Sequence, residues 1–190
     1  PVMADDFVIT SSNGTTNGNI ADNAINGSDT VSLGIALTTT GTNDGIQTSN
    51  VGNSITVSEA GSITTAGVRA YGIANYGNTN KTKVSGRIET TGDYAYGIVN
   101  DGDTNITTVS GSITTAGDYA HGIRNDGDTN ITTVLEAGSI TTAGDSAYGI
   151  FNFGDTNTTT VSGSIATTTG DQAHGIRNDG DTNITTVLEA

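Results

Sequence analysis

Apolar and polar residues alternate along most of this chain. In the stretch 81–90, the apolar side chains Val84 and Ile88 stand at even positions. The odd positions carry Lys81, Lys83, Arg87 and Glu89. Successive side chains of a strand point to opposite faces, and four buried charges would be costly, so the odd set is predicted to face solvent. The inward set is then Thr82, Val84, Gly86, Ile88 and Thr90.

The alternation restarts every 25 to 28 residues from residue 34 onward. The same eighteen letters, AHGIRNDGDTNITTVLEA, stand at 120–137 and at 173–190. The six units are 34–60, 61–85, 86–110, 111–137, 138–162 and 163–190. None shows a helical period, and their Thr, Ile and Val favour strands. The repeats predict an all-β protein, a parallel β-solenoid whose equivalent residues form columns.

Two further features recur in every unit from residue 61 onward. An Ala and an Ile stand three positions apart, as at Ala95 and Ile98, with Gly97 between them. A straight strand cannot turn both inward, so a bend is predicted at that glycine. Two asparagine columns flank the next turn and are predicted to form hydrogen-bonded ladders. They are Asn75, Asn100, Asn125, Asn152 and Asn178, then Asn80, Asn105, Asn130, Asn157 and Asn183.

The ends of the units and of the chain depart from the repeat. VLEA at 134–137 and 187–190 adds two residues, which preserves the alternation and predicts a short outward bulge. Residues 1–33 lack the repeat and are predicted to be an N-terminal cap, because a terminal coil exposes a sheet edge. Within them, PVMA at 1–4 is typical of the end of a secretory signal, with cleavage after Ala4.

Composition and charge restrict the function. Hydrophobic residues make up 33%, below the roughly 45–50% of ordinary globules, which indicates a thin core. With no cysteine, the chain can form neither disulfides nor thiolate metal sites. The net charge of −14 repels phosphate backbones, so nucleic acid is not an expected partner. No apolar run approaches the ~20 residues of a membrane-spanning helix, so membrane insertion of this segment is not expected.

Units such as GSITTAGDYAHGI and GDTNITTVSGSI resemble the passenger domains of bacterial autotransporters (type V secretion). The likeness covers roughly residues 34–190, and ADDFVIT at 4–10 resembles the start of a mature passenger. The resemblance implies a right-handed parallel β-helix of about six coils, the hand that parallel crossovers generally prefer. It also implies an extracellular or cell-surface stalk or adhesin. Its partners would be host or cell-surface glycans or proteins.

One aromatic column is a candidate contact stripe: Tyr71, Tyr96, His121, Tyr148 and His174. In stacked coils these rings would lie about 4.8 Å apart. Aromatic faces hold sugars, which suits an adhesin, and the alternative is ladder packing that stabilises neighbouring coils. The two histidines belong to coils two repeats apart and cannot share one metal ion.

Acidic turns are candidate calcium sites. Their carboxylates are Asp101, Asp103, Asp126, Asp128, Asp179 and Asp181. The turns lack the twelve-residue spacing and bidentate Glu of an EF-hand, and Asx-turns account for the same residues. Asp126 and Asp179 are expected to neighbour Arg124 and Arg177 across a turn. Apart from weak Ca²⁺ binding, no cofactor is expected.

No catalytic constellation stands out from the repeat, so the chain is expected to be a non-enzymatic structural or adhesive protein. Two other functions stay open. The near-identical coils suit a filament subunit that binds itself, stacking head to tail through its open ends. The outward hydroxyls Thr108, Ser110, Ser112 and Thr114 suit an ice-binding array, which the charges in 81–89 interrupt.

Overall fold

The structure is a computed structural model that describes residues 6–9 and 29–189. Twenty strands and no helix form the regular structure of these residues. The strands are β1 (Asp6–Ile9), β2 (Thr30–Leu33), β3 (Ala36–Thr39), β4 (Ile46–Thr48), β5 (Ser54–Val57), β6 (Ser62–Thr65), β7 (Ile73–Asn75), β8 (Lys81–Val84), β9 (Arg87–Thr90), β10 (Ile98–Asn100), β11 (Ile106–Val109), β12 (Ser112–Thr115), β13 (Ile123–Asn125), β14 (Ile131–Val134), β15 (Ser139–Ala143), β16 (Ile150–Asn152), β17 (Thr158–Val161), β18 (Ser164–Thr169), β19 (Ile176–Asn178) and β20 (Ile184–Val187).

The strands form three parallel sheets, and each coil contributes one strand to each. Sheet I has the order β1-β2-β5-β8-β11-β14-β17-β20. Sheet II is β3-β6-β9-β12-β15-β18, and sheet III is β4-β7-β10-β13-β16-β19. Every strand pairs with an equivalent strand of a neighbouring coil. The predicted β-solenoid of about six coils is therefore confirmed, whereas its handedness stays a prediction.

The in-and-out phase of the strands follows the prediction. Val84, Ile88 and their equivalents in neighbouring coils are fully buried in one continuous core. Lys81, Lys83 and Arg87 are exposed, and Glu89 is partly exposed and paired with Arg87. The register places Lys81 beside Ile106 and Lys83 beside Thr108, so the charged coil keeps the alignment of the rest.

The chain bends at the glycine between the inward alanine and isoleucine, as predicted. Ala95 and Ile98 are both fully buried, one on each side of the bend at Gly97. A Cβ atom at Gly97 would overlap Cγ2 of Ile113 and lie 2.6 Å from the carbonyl oxygen of Gly122 in the next coil. This bend position is occupied by glycine because two neighbouring groups fill the space that a side chain would need.

The two asparagine columns use their amides differently. In the first, the side-chain NH₂ of Asn100 donates to Oδ1 of Asn125 at 2.8 Å and to the hydroxyl of Thr107 at 3.1 Å, within the core. In the second, the NH₂ of Asn105 donates to the carbonyl of Gly102 in its own turn. Its Oδ1 accepts the backbone N–H of Asn80. The predicted ladders are confirmed, and the second one links side chain to backbone.

The first ladder ends at β4. Thr48 occupies the asparagine position there, and Ile55 takes the place of the threonine that Asn75 bonds. Asn75 Oδ1 thus has no donor from the preceding coil. Among the described residues it is the one buried side-chain polar atom without a hydrogen-bond partner. The ladder therefore stabilises the coils from β7 onward.

Turns and insertions are accommodated outside the core. In the GDTN turns the threonine adopts a left-handed backbone, with φ of 56° at Thr104. That conformation is costly for a β-branched residue, and it is held because the Thr104 N–H donates to the Asp128 carbonyl of the next coil. Leu135, Glu136 and Ala137, which replace the single serine of the shorter units, are exposed while the flanking strands keep their register, which confirms the outward bulge.

The parallel ladder extends on both sides of the first repeat boundary. β1 and β2 pair in sheet I, and Val31 and Leu33 are fully buried, so residues before the predicted boundary at 34 join the solenoid. The rest of the predicted cap and the signal-like residues 1–4 fall in 1–5 and 10–28, outside the described residues. In the last coil, Val187 is 68% exposed because β20 has a strand neighbour on one side.

The asparagine ladder can be tested with Asn100→Ala. The change removes three core hydrogen bonds and leaves donors and acceptors of Asn75 and Asn125 unsatisfied. We expect the free energy of unfolding to fall by about 3 kcal/mol in chemical denaturation. Thr108→Ala, at an outward position of β11, is the control and should change it by less than about 0.5 kcal/mol. Equal losses in both variants would contradict a structural role for the ladder.

Candidate functional site

A column of stacked aromatic rings runs along the coils just before the glycine bends. It consists of Tyr71, Tyr96, His121, Tyr148 and His174, whose successive ring centroids are 5.0, 5.1, 4.7 and 5.4 Å apart. The first three pairs are within 5° of parallel. The rings cover each other's faces, and Tyr96 retains only 6% exposure. The expected stacking is present, and the use of this column as a contact stripe stays a prediction.

The edge of this column lines a groove of about 500 Å³ that extends across five coils. Its other side is formed by the outward middle residues of sheet III and by the residues that follow the asparagines. The lining residues are Arg69, Tyr71, Tyr76, Tyr94, Tyr96, Val99, Asp101, Tyr119, His121, Arg124, Asp126, Tyr148, Phe151 and Arg177. Burial raises the pKa of Tyr76 to about 12, so its hydroxyl stays protonated.

Two equivalent arginine clusters lie in or beside the groove, two coils apart. Arg124 Nε donates to Asp126 at 2.6 Å, and its Nη1 donates to the hydroxyl of Tyr96 at 2.7 Å. Arg177 makes the same bonds to Asp179 and to Tyr148, at 2.7 and 2.6 Å. The two Arg–Asp pairs confirm the expectation from sequence.

Phe151 joins the two clusters. It stands between Arg124 and Arg177 in the register of sheet III, and both guanidinium groups lie over its ring, at 5.6 and 5.5 Å from the centroid. Its ring also meets His121 and Tyr148 edge-on. Sequence reasoning missed this arrangement. The available signal was that the middle residue of each sheet III strand varies while its neighbours stay constant.

A second, shorter stack of rings stands beside the first. Tyr94 and Tyr119 lie 4.9 Å apart, with the Arg69 guanidinium over Tyr94 at 5.6 Å. All three have a left-handed backbone, with φ near 57°. Ser146 follows in the same column and cannot extend the stack. Tyr119 is 45% exposed, whereas Tyr96, His121 and Tyr148 of the longer column are buried.

His121 is held neutral. Its Nδ1 accepts the backbone N–H of Tyr148 at 3.0 Å, so that nitrogen carries no proton. Burial, together with the charges of Arg124 and Arg177, lowers the pKa of His121 to about 3. Stability from the neutral ring is present above about pH 6.5 and is lost as the pH falls toward 3. Tyr148 separates His121 from His174, as expected.

A buried carboxylate begins the aromatic column. Asp44 stands one coil before Tyr71, and its Oδ1 accepts the Tyr71 backbone N–H at 2.7 Å. Burial raises the pKa of Asp44 to about 6, and the hydrogen bond from Tyr71 opposes that effect. Folding therefore favours the protonated carboxyl. The contribution of the protonated Asp44 carboxyl to the free energy of unfolding is fully present below about pH 4 and is lost as the pH rises through 6.

The acidic turns use their carboxylates internally. Oδ1 of Asp103 accepts the backbone N–H of Asp128, and the equivalent bonds continue through Asp155 to Asp181. Asp126 and Asp179 pair with arginines, and Asp101 lines the groove. No group of three or more metal-ligating side chains occurs in 29–189. These bonds join neighbouring coils, unlike the local bonds of the Asx-turns expected from sequence, and Ca²⁺ binding stays a prediction.

The outward hydroxyl rows do not continue through the stack. In the register of the sheets, Thr108 lies beside Lys83, Ser112 beside Arg87 and Thr114 beside Glu89. The charges therefore occupy the same columns as the hydroxyls. An ice-binding surface would be interrupted there.

No family model, curated protein or solved structure matches this chain. The resemblance to autotransporter passengers therefore stays a prediction. Within the described residues no helix is long and apolar enough to span a membrane. The roles of the groove residues rest on their geometry and chemistry.

Asp44→Asn tests the buried carboxyl. The amide oxygen can still accept the Tyr71 N–H, and the cost of burying a charge is removed. We expect a thermal midpoint a few degrees higher than that of the parent at pH 7, corresponding to about 1 kcal/mol, and no difference at pH 4. The matched control is Asp155→Asn, at an exposed carboxylate with the same kind of bond. Equal midpoints of parent and Asp44→Asn at pH 7 would contradict the argument.

Calcium binding by the acidic turns can be tested by thermal unfolding in millimolar CaCl₂ and in EDTA. A ligand of the folded state alone must raise the midpoint. We expect no change, because Asp103 and Asp128 already accept backbone N–H groups and Asp126 and Asp179 pair with arginine. NaCl at equal ionic strength controls for screening of the −14 net charge. A rise specific to Ca²⁺ would establish a calcium site and overturn this expectation.

Proposed function

We propose that this chain is an extracellular structural and adhesive β-solenoid, a segment of a surface-displayed passenger or stalk that works without catalysis. The observation that carries the proposal is the aromatic and arginine-lined groove, which follows the coil stack for five coils. A groove that spans several rungs suits an extended partner better than a small substrate. The stacked coils provide a rigid support for it.

Contacts between the coils support the rigidity that a stalk needs. Each coil bonds to the next through three sheets, and asparagine ladders run inside the stack. Solenoid stability of this kind accumulates from neighbour to neighbour, so length can be added without a larger core. A long, thin projection from a cell surface needs this property.

The charge distribution supports host or cell-surface glycans or proteins as partners. The chain has six basic residues, and Arg69, Arg124 and Arg177 line the groove. The groove lining thus sets three arginines against Asp101 and Asp126, in a protein whose net charge of −14 repels polyanions. Nucleic acid and anionic lipid are disfavoured for the same reason.

A second candidate function is head-to-tail self-assembly. It is favoured by the exposure of inward side chains in the last coil, where Val187 is 68% exposed and Ile165 and Ile176 are only partly buried. A further parallel rung from a second copy would cover them and pair the free edges of β18, β19 and β20. The partner would then be the chain itself, and the groove would continue from copy to copy.

The adhesive proposal is tested with intact cells that produce the protein. We expect antibody against the chain to label these cells without permeabilisation, and beads coated with the purified chain to adhere to target cells. Excess soluble chain should compete, and beads coated with an unrelated acidic protein are the control. Failure to label intact cells or to adhere would contradict the proposal. Filaments of the purified chain in electron micrographs, without adhesion, would instead favour self-assembly.

A further inference from the structure

Tyr119 presents an aromatic face that no ring covers in the described residues. One face of its ring stacks on Tyr94 at 4.9 Å, and the next position of that column is Ser146. The serine is too short to reach across the ring, so Tyr119 remains 45% exposed at the groove. A stack that ends in this way offers a flat apolar platform.

Hydrogen-bonding groups with unused capacity line the same groove. Arg124 has five N–H donors, and its bonds to Asp126 and Tyr96 use two of them. The salt bridge to Asp126 runs through Oδ1, which leaves Oδ2 able to accept. A fixed guanidinium beside a carboxylate provides neighbouring donors and acceptors, which is the pattern that vicinal hydroxyl groups match.

The charge balance indicates an uncharged ligand. Arg124 and Arg177 are each neutralised by their own aspartate, so neither is an unpaired cation. Asp101 adds a negative charge to the lining, opposite in sign to Arg69. A polyanionic chain would also meet the −14 net charge of the protein.

The arrangement repeats along the axis. The Arg177 cluster lies two coils from the Arg124 cluster, which is roughly 10 Å at the spacing of parallel strands. Phe151 fills the interval. Two equivalent arginine clusters, aligned along the solenoid axis, suit an extended ligand made of linked units better than a single small molecule.

We propose that the groove binds an uncharged oligosaccharide chain along the solenoid axis, with one sugar ring stacked on Tyr119 and its hydroxyl groups bound by Arg124 and Asp126. The inference rests on the proposed adhesive function and names the chemistry of its ligand. The Arg177 cluster contacts a further sugar unit of the same chain.

Substitutions that copy residues from neighbouring coils test this subsite with little risk to folding. Tyr119→Ser places in the column the residue that Ser146 provides one coil later. Arg124→Val copies Val99, which lies beside it in sheet III. Tyr119→Phe keeps the ring. The control on another face is Ile131→Thr, which copies Thr158 in sheet I.

Binding is measured for the full chain by isothermal titration against soluble β-glucan, mannan, galactan and xylan fragments, with polygalacturonate and a sulfated glycan as acidic probes. We expect at least one neutral glycan to bind with a Kd that does not change with NaCl concentration. Tyr119→Ser and Arg124→Val should raise that Kd about tenfold or more. Ile131→Thr should leave it within about twofold. Tyr119→Phe, which keeps the stacking ring, should bind more tightly than Tyr119→Ser, and all variants should retain the thermal midpoint of a folded solenoid.

The results separate this inference from the adhesive function. Binding confined to the acidic glycans, binding of no neutral glycan, or neutral binding that Tyr119→Ser and Arg124→Val leave unchanged would each overturn the oligosaccharide subsite. If coated beads still adhere to cells in those cases, adhesion stands and its ligand is of another class. If a neutral glycan binds through Tyr119 but beads do not adhere, the subsite stands and the adhesive function fails.

Discussion

The inward side chains of the described coils pack against their equivalents in neighbouring coils, and the fold depends on that requirement. A residue can occupy a column only if it tolerates being stacked on copies of itself at the spacing of parallel strands. Valine and isoleucine meet the requirement by packing, and asparagine meets it by hydrogen bonding along the axis. Glycine meets it at the bends, where the next coil fills the place of a side chain.

Outside the core the same requirement permits backbone conformations that would otherwise be costly. Threonine and tyrosine adopt left-handed conformations at the turns, and the bonds between coils hold them there. Aspartates stack in the turns in the same way, because each Oδ1 accepts a backbone N–H of the next coil. Many of the acidic side chains therefore hold the coils together, although the sequence of the turns suggested metal binding.

Chemical variety arises where a column changes its residue. The middle position of sheet III passes from Val99 to Arg124 and Phe151, and the short tyrosine stack stops at Ser146. These changes place guanidinium groups over aromatic rings and leave one ring face open. A change of residue inside the core is unfavourable instead. Thr48 replaces asparagine in the first ladder and leaves Asn75 Oδ1 without a hydrogen-bond donor. Uniform columns build the rod, and the breaks in them create the groove.

The repeat alone predicted the coil length, the in-and-out phase set by Lys81 and Arg87, the bends and the asparagine ladders, because a repeat that stacks on itself turns sequence period into spatial neighbourhood. It also predicted the aromatic column and the Arg124–Asp126 pair, which depend on the same period. The three-dimensional packing of the coils sets which rings are covered and which are open, and it places Phe151 between two arginines. Those facts depend on how side chains from different columns lean together across the surface, and no periodicity along the chain encodes that direction.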